Sequence, residues 1–256
     1  MLLAIDVGNT QTVLGIYEGA SLKQMWRVST NASHTADELR LKLRGLFDDR
    51  GIMSGNIEGV ALASVVPTLT DRWADAGRMM FAKETLVVNF ETARPLFRAQ
   101  YANPHEIGAD RIADAVAAKQ LYGSPVIVVD FGTATNMEVI DRDGNFIGGI
   151  IAPGVETSME ALFKRAARLS AIELEDPHTA IGTCTVETMQ VGIVYGEADR
   201  VDGLVRRVFA QLGYDAPVVA TGGLALSFAK LCSTVTEVNP ELTLQGLRMI
   251  FEAQTK

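Results

Sequence analysis

A chain of 256 residues, 48% of them apolar and 21% charged, carries enough core-forming side chains for two halves of ordinary domain size, with no Pro/Ser-rich tract or block of like charge to mark a disordered arm. The formal net charge of -8, with no Lys/Arg run interleaved with aromatics, excludes nucleic acid as an expected partner, because a phosphate backbone would be repelled. Cys184 and Cys232 stand alone, without paired Cys/His spacing, so a disulfide framework and a zinc site are excluded and a reducing, cytoplasmic setting is expected.

In chain order, the apolar run Leu2 to Ile5 is cut at Asp6 and has no basic residues before it, which is unlike a signal peptide. It leads into Asp6-Val7-Gly8-Asn9-Thr10 and a second β-type run, Thr12 to Tyr17, with a turn at Glu18-Gly19; together they predict a β-hairpin with a polar tip. Leu39, Leu43, Leu46 and Phe47 give Thr35 to Arg50 a helical period, and Gly59 to Val66 reads as a buried strand ending at Pro67. A helix from about Thr70 to Ala82 and a strand at Thr85 to Asn89 follow. The loop Asn103 to Arg111 opens a helix whose apolar face is Ile112, Ala113, Val116 and Ala117. Val126 to Val129 is another apolar run, ending in Asp130-Phe131-Gly132-Thr133-Ala134-Thr135, then Met137 to Ile140, a turn at Asp141 to Asn145, and a third strand through Phe146 to Ile151. Helices are predicted near Glu156 to Leu169 and Thr185 to Leu212, a strand at Pro217 to Ala220, and helices from Leu224 and Leu242. No apolar stretch approaches the roughly 18 residues of a membrane helix, so no membrane partner is expected.

Sliding the chain by 124 positions carries Asp6 onto Asp130 and Gly8 onto Gly132, with a short polar residue, Asn9 or Thr133, after each glycine. Strand, acidic tip, glycine and returning strand recur in the same order, which points to an internal duplication. Strands first, then alternating helix and strand, in both halves, predict an α/β fold of two ribonuclease-H-like domains with a central cleft between them, residues 1–115 and 116–256.

A polyphosphate needs clustered N–H donors, a backbone clear of side chains, and hydroxyls or a metal to share its charge. Gly8, Asn9, Thr10 and Thr12 supply such a tip, although Gly-Asn is also an ordinary hairpin turn. Walker-type and Rossmann-type glycine loops are absent from the sequence. Asp6 and Asp130 end their strands where a hydrated Mg²⁺ or another cation would suit them; the alternative is that each caps its own loop. Asp110 falls in a helical first turn that favours its ionised form, placing it either to orient and deprotonate an alcohol or simply to complement the helix end. Thr221-Gly222-Gly223 offers a backbone that approaches a flat ring or sugar, or a plain strand-to-helix turn. Gly192 and Gly196, one helical turn apart, permit a close helix approach or core packing.

Taken together, Asp6-Val7-Gly8-Asn9-Thr10, Gly108-Ala109-Asp110-Arg111, Asp130-Phe131-Gly132-Thr133-Ala134-Thr135 and Thr221-Gly222-Gly223 resemble type III pantothenate kinases, within the superfamily of actin, heat-shock chaperone ATPases and sugar kinases. The similarity runs along essentially the whole chain. It implies phosphorylation of the primary hydroxyl of pantothenate by ATP, the first step towards coenzyme A, in a cytoplasmic homodimer. Asp110 matches the family's catalytic base, and Tyr101, Gly108, Ala109, Asp110 and Arg111 match its pantothenate site. Thr185 matches a further pantothenate contact supplied across the dimer interface. Asp6, Val7, Gly8, Asn9, Thr10, Gln11, Thr12, Val13 and Thr133 match ATP contacts. Asp130 matches the ligand of a monovalent cation, potassium or ammonium, required along with Mg²⁺. Asn136-Met137 and Thr183-Cys184 depart from the usual pattern. The rival readings are a related kinase with another small acceptor and a non-catalytic regulator that senses nucleotide.

Overall fold

A computed structural model describes residues 1–166, 169 and 171–255. The first strands are β1 (Leu2–Val7), β2 (Gln11–Glu18) and β3 (Ser21–Ser29), followed by α1 (Ala36–Asp49), β4 (Gly59–Ser64), α2 (Pro67–Phe81) and β5 (Thr85–Val87). A short α3 (Phe90–Ala93) precedes α4 (Ala109–Tyr122). Next come β6 (Val126–Phe131), β7 (Ala134–Ile140), β8 (Phe146–Pro153), α5 (Val155–Arg165), α6 (Thr185–Gln190) and α7 (Gly196–Leu212). The chain finishes with β9 (Val218–Thr221), α8 (Ala225–Phe228), β10 (Glu237–Val238) and α9 (Leu242–Gln254). Two compact units result: Met1–Leu121 with Leu242–Lys256, and Tyr122–Glu241. No helix among the described residues is long and apolar enough to cross a membrane.

In the first unit a five-stranded sheet runs β3-β2-β1-β4-β5, with β1 antiparallel to β2 and parallel to β4. The central strands are apolar on both sides because both faces are covered. Leu3, Ile5 and Val7 share one core with Leu39, Leu43 and Phe47 of α1 and Leu69 and Trp73 of α2. On α1, Thr35 and Glu38 form a capping box: the Glu38 N–H donates to Thr35 Oγ1 at 3.3 Å and the Thr35 N–H to Glu38 Oε2 at 2.8 Å. α9 packs on β1, β2 and β4. It also meets α4: a Cβ on Gly246 would clash with the Ala113 carbonyl, and Thr243 Oγ1 donates to the buried Asp114 at 2.7 Å.

The second unit repeats the plan. Its sheet order, β10-β9-β6-β7-β8, is the first order read from the other edge, with β6 antiparallel to β7 and parallel to β9. Ile127, Val129 and Phe131 pack with Val201 and Val205 of α7 and Phe228 of α8. Asp202, on α7, is 5% exposed and accepts from the Ser233 and Thr234 N–H groups, both at 2.9 Å, and from both hydroxyls. Burial alone would raise this carboxyl, but the hydrogen bonds from Ser233 and Thr234 outweigh it and hold the group below its usual range. Its stabilisation is therefore complete above the ordinary carboxylate range and is lost as pH falls through the lowered folded-state value. Asp202→Asn, which turns a donor towards these donors, is expected to cost about 2 kcal/mol at neutral pH, with the gap from wild type closing in acid. Denaturant titrations across pH check both parts.

Several expectations shift. The halves expected at 1–115 and 116–256 differ from the observed units, since residue 115 lies inside α4 and α9 belongs with the first unit. α2 begins at Pro67, earlier than Thr70, because proline fits the first helical turn, where its missing N–H has no partner to lose. The helix expected from Thr185 to Leu212 is interrupted by a π-helical segment, Val191–Tyr195. A Cβ on Gly192 or Gly196 would meet nothing within 4 Å outside the helix's own backbone, so core packing within the chain does not explain them, and no described helix of this chain approaches them closely. α5 ends at Arg165; residues 167 and 168 of the expected helix lie outside the described residues.

Candidate active site

In the first unit, β1 ends at Val7 and the chain turns at once, with the Gly8 N–H donating to Gln11 O at 3.0 Å. A Cβ on Gly8 would sit 2.9 Å from that same carbonyl, so the turn needs a bare α-carbon. Asn9, Thr10 and Gln11 project from this tip into solvent, and Asp6 is half-buried one residue before Val7. Thr12 is turned inward: it is 1% exposed and its hydroxyl is 2.8 Å from that of Thr30, which ties the tip to the residue just past β3. The Val7 side chain belongs to the core, so only its main chain faces the turn, and Val13 pairs with Asp6 across the hairpin.

The second acidic element of this unit reaches the same strand end. The Val7 carbonyl accepts from the Val65 N–H at 3.0 Å, just past β4, and Val65 Cγ1 would lie 3.6 Å from a Cβ on Gly108. That Cβ would also stand 2.5 Å from Asp110 Oδ1. Gly108 thus leaves room for the Asp110 carboxylate to fold back over the start of α4, where Oδ1 accepts from the Arg111 N–H at 2.8 Å. Chain order alone hides this link from the hairpin tip through Val65 to Asp110.

The expectation that a helix start favours ionised Asp110 is corrected by its surroundings. Burial raises the Asp110 carboxyl above the usual aspartate range and outweighs the Arg111 N–H and guanidinium, which act in the opposite sense. Arg111 itself is 9% exposed. A carboxylate short of solvation is a stronger base than one in water, which suits proton abstraction from an alcohol. Ala109 is buried behind it, whereas Tyr101 is exposed.

The second unit has its own acidic corner. The Gly132 N–H donates to Ala134 O at 3.1 Å, a turn one residue tighter than the one at Gly8. Thr133 is exposed, and its carbonyl accepts from the Gly154 N–H at 3.0 Å and the Thr157 hydroxyl at 2.7 Å. Half-buried Asp130 stands beside Gly222, where φ is +94° and a Cβ would clash with Asp130 Oδ1. Across the hairpin, Asn136 pairs with Asp130, and Asn136 Oδ1 is buried with no hydrogen-bond partner among the described residues. Directly opposed side chains share a face of the sheet. An aspartate and an orphaned amide oxygen on one face fit a hard cation. No group of three or more His, Cys, Asp or Glu able to hold a metal occurs among the described residues. Single carboxylates of this kind fit Mg²⁺, which takes most of its ligands from phosphates and water. Thr185, at the start of α6, is exposed.

A profile of the type III pantothenate kinase family matches residues 2–207. The chain belongs to this family. A type III pantothenate kinase from Moorella thermoacetica is 47% identical over 257 residues, covering 100% of both chains. Among solved structures, the activator of 2-hydroxyisocaproyl-CoA dehydratase from Clostridium difficile, with bound ADPNP, aligns at TM-score 0.59 and 14% identity over 99% of this chain and 96% of that one. The ROK hexokinase from Thermus thermophilus aligns at TM-score 0.55 and 12% identity over 100% and 99%. These distant likenesses, with the repeated sheets, identify the fold as the duplicated ribonuclease-H-like, actin-like ATPase architecture.

For this member of the type III pantothenate kinase family, one buried pair escaped sequence reasoning. Thr135 Oγ1 donates to Glu197 Oε1 at 2.6 Å, and Arg200, ion-paired with Glu197, donates to the Pro153 carbonyl at 2.7 Å. Glu197 is 4% exposed and thereby ties α7 to β7 directly and, through Arg200, to the end of β8. A single acidic residue in a helix carries no sequence signal for such a role.

Proposed function

We propose that Asp110 is the group through which this chain performs its family's reaction, transfer of the terminal phosphate of ATP to the primary hydroxyl of pantothenate, giving 4'-phosphopantothenate at the start of coenzyme A biosynthesis. The observation that carries this role is the approach of a desolvated Asp110 carboxylate to the Gly8 hairpin through Val65 and Gly108. The carboxylate accepts the hydroxyl proton as the oxygen attacks the γ-phosphorus; the bond to the β-phosphate oxygen breaks and ADP leaves. Positioning and charge neutralisation do most of the work, since phosphoryl transfer asks little covalent chemistry of a protein.

In this reading the main chain and hydroxyls from Asp6 through Val7, Gly8, Asn9, Thr10, Gln11, Thr12 and Val13 engage ATP, and Thr133 is a further ATP contact. Tyr101 and residues Gly108 to Arg111 receive pantothenate, and Thr185 completes that pocket in a homodimer; the exposed apolar Val186 beside it, 49% accessible, supports a covered surface there. Mg²⁺ entering with ATP would supply charge neutralisation, and Asp6 is a carboxylate that could hold it through water. Asp130 and Asn136 would hold potassium or ammonium; their shared face and the orphaned amide oxygen support that assignment.

The test is ADP formation from ATP with and without pantothenate, in potassium and in sodium. Turnover is expected only with pantothenate, and faster in potassium. Equal rates in the two salts would remove the monovalent cation, and pantothenate-independent turnover would remove the acceptor.

A further inference from the structure

Buried beside Ala198, Val201 and Val205 on the inner face of α7, Glu197 stands where an apolar side chain would serve the core. Desolvating a carboxylate is expensive, and a well-packed apolar residue is often no worse for stability than a buried ion pair. The charge therefore needs a reason other than stability, and its contacts supply one.

The Gly132-Thr133 tip is held from two sides. On the β7 side the Thr135 hydroxyl, two residues beyond Thr133 and itself 2% exposed, donates to Glu197 Oε1 at 2.6 Å. On the β8 side Ala134 pairs with Pro153, whose carbonyl accepts from Arg200 at 2.7 Å, and Arg200 is ion-paired with Glu197 Oε2. Gly154 follows directly. Its N–H and the Thr157 hydroxyl both donate to the Thr133 carbonyl, at 3.0 and 2.7 Å. A Cβ on Gly154 would stand 2.2 Å from the Gly132 carbonyl oxygen and 2.6 Å from that of Thr133, so main chain meets main chain without slack. Any displacement of the β8 end is thus passed straight to the two peptides that flank Thr133. Both routes converge on one carboxylate, with Oε1 serving β7 and Oε2, through Arg200, serving β8. The π-helical segment Val191–Tyr195 comes just before it. One extra residue in a helix rotates everything after it by about 100°, which sets the face on which Glu197 arrives.

We infer that Glu197 is a positioning residue for ATP: it fixes Thr133 in place through Thr135 and Arg200 without touching the nucleotide, a role that rests on reading Thr133 as an ATP contact. Misplacing a binding group by on the order of 1 Å is enough to forfeit much of its contribution. The residues assigned to pantothenate lie on other segments, so the loss falls on ATP alone.

Kinetics with both substrates, read beside melting temperatures, test this role. Thr135→Val keeps the shape and removes the donor; it is expected to raise the KM for ATP roughly 10-fold and leave the KM for pantothenate unchanged. Thr135→Ser restores the hydroxyl and should return the KM for ATP towards wild type. Glu197→Gln keeps an acceptor for Thr135 but loses the charge that holds Arg200, so its KM for ATP should rise too. Because both changes act through one carboxylate, their effects should fall short of multiplying in the double variant. A lowered melting temperature with an unchanged KM for ATP in Thr135→Val and Glu197→Gln would show a brace for the fold and nothing more, which overturns the inference. An equal rise for Thr135→Val and Thr135→Ser overturns it as well. If Thr135→Val does not fold, Glu197→Gln decides by the same reading. Thr133→Ala separates this role from the assignment beneath it. If that variant alone raises the KM for ATP, the positioning role falls and the ATP contact stands; if none of the three does, both fall. A rise in Thr135→Val without one in Thr133→Ala also overturns the inference, since the hold would then act elsewhere.

Discussion

Replacing Asp110 with Asn is expected to lower kcat roughly 100-fold or more, the usual scale for a positioned general base, and at the same time to make the folded protein more stable. The two effects share one cause. Burial raises this carboxyl, so the folded state holds its proton more tightly than the unfolded chain does. Stability from the protonated form is full below the unfolded value and is lost as pH rises through the folded one, leaving an ionised, under-solvated carboxylate at neutral pH. Asparagine removes that charge. The melting temperature of Asp110→Asn should therefore exceed that of wild type at neutral pH, and the advantage should vanish as pH falls to the ordinary aspartate range. Near-normal turnover would strip Asp110 of its role as base, and a melting temperature at or below wild type at pH 7 would refute the burial argument. The free enzyme's pH–rate profile should likewise lose activity on the acid side at a pH above that of an exposed aspartate.

Gly222→Ala is expected to cost both stability and ATP use. The site has φ of +94°, a conformation that strains any side chain, and the added methyl group would collide with Asp130 Oδ1 and sit 2.7 Å from the Phe131 carbonyl. Neither neighbour yields easily: Asp130 is a strand residue and the Phe131 carbonyl accepts from Leu224. A loss on the order of 3 kcal/mol in unfolding free energy is expected. Because the displaced groups form the corner next to Thr133, kcat/KM for ATP should fall roughly 100-fold as well. Gly223→Ala is the control for stability, since a Cβ there meets nothing within 4 Å and the change should stay within about 0.5 kcal/mol. Similar melting temperatures for the two variants would show that the corner relaxes without strain.

The repeated hairpins were legible because their signals are local. Alternating apolar residues, an aspartate at the strand end and a glycine in the turn are all set within about ten positions, and the two sheets reproduce each other in reversed order. Most helices fell near their expected places for the same reason, and Thr35 with Glu38 marks one start outright. What could not be read depends on residues far apart in the chain. The contact of Gly246 with Ala113, the hold of Asp202 on Ser233 and Thr234, and the tie from Glu197 to Thr135 leave no spacing in the sequence. Asp6, Asp110 and Asp130 could be singled out from the sequence as candidates. The electrostatics of Asp110 could not, since local helix geometry favours its ionised form while surrounding burial opposes it.

That α9 joins the first unit after the whole second unit has been read out has a bearing on synthesis. A chain emerging from the ribosome can complete the β6–β10 sheet while β1 and β4 still lack the helix that packs on them. The half carrying the proposed base thus gains the helix packed on β1 and β4 only after the whole second unit has been synthesised.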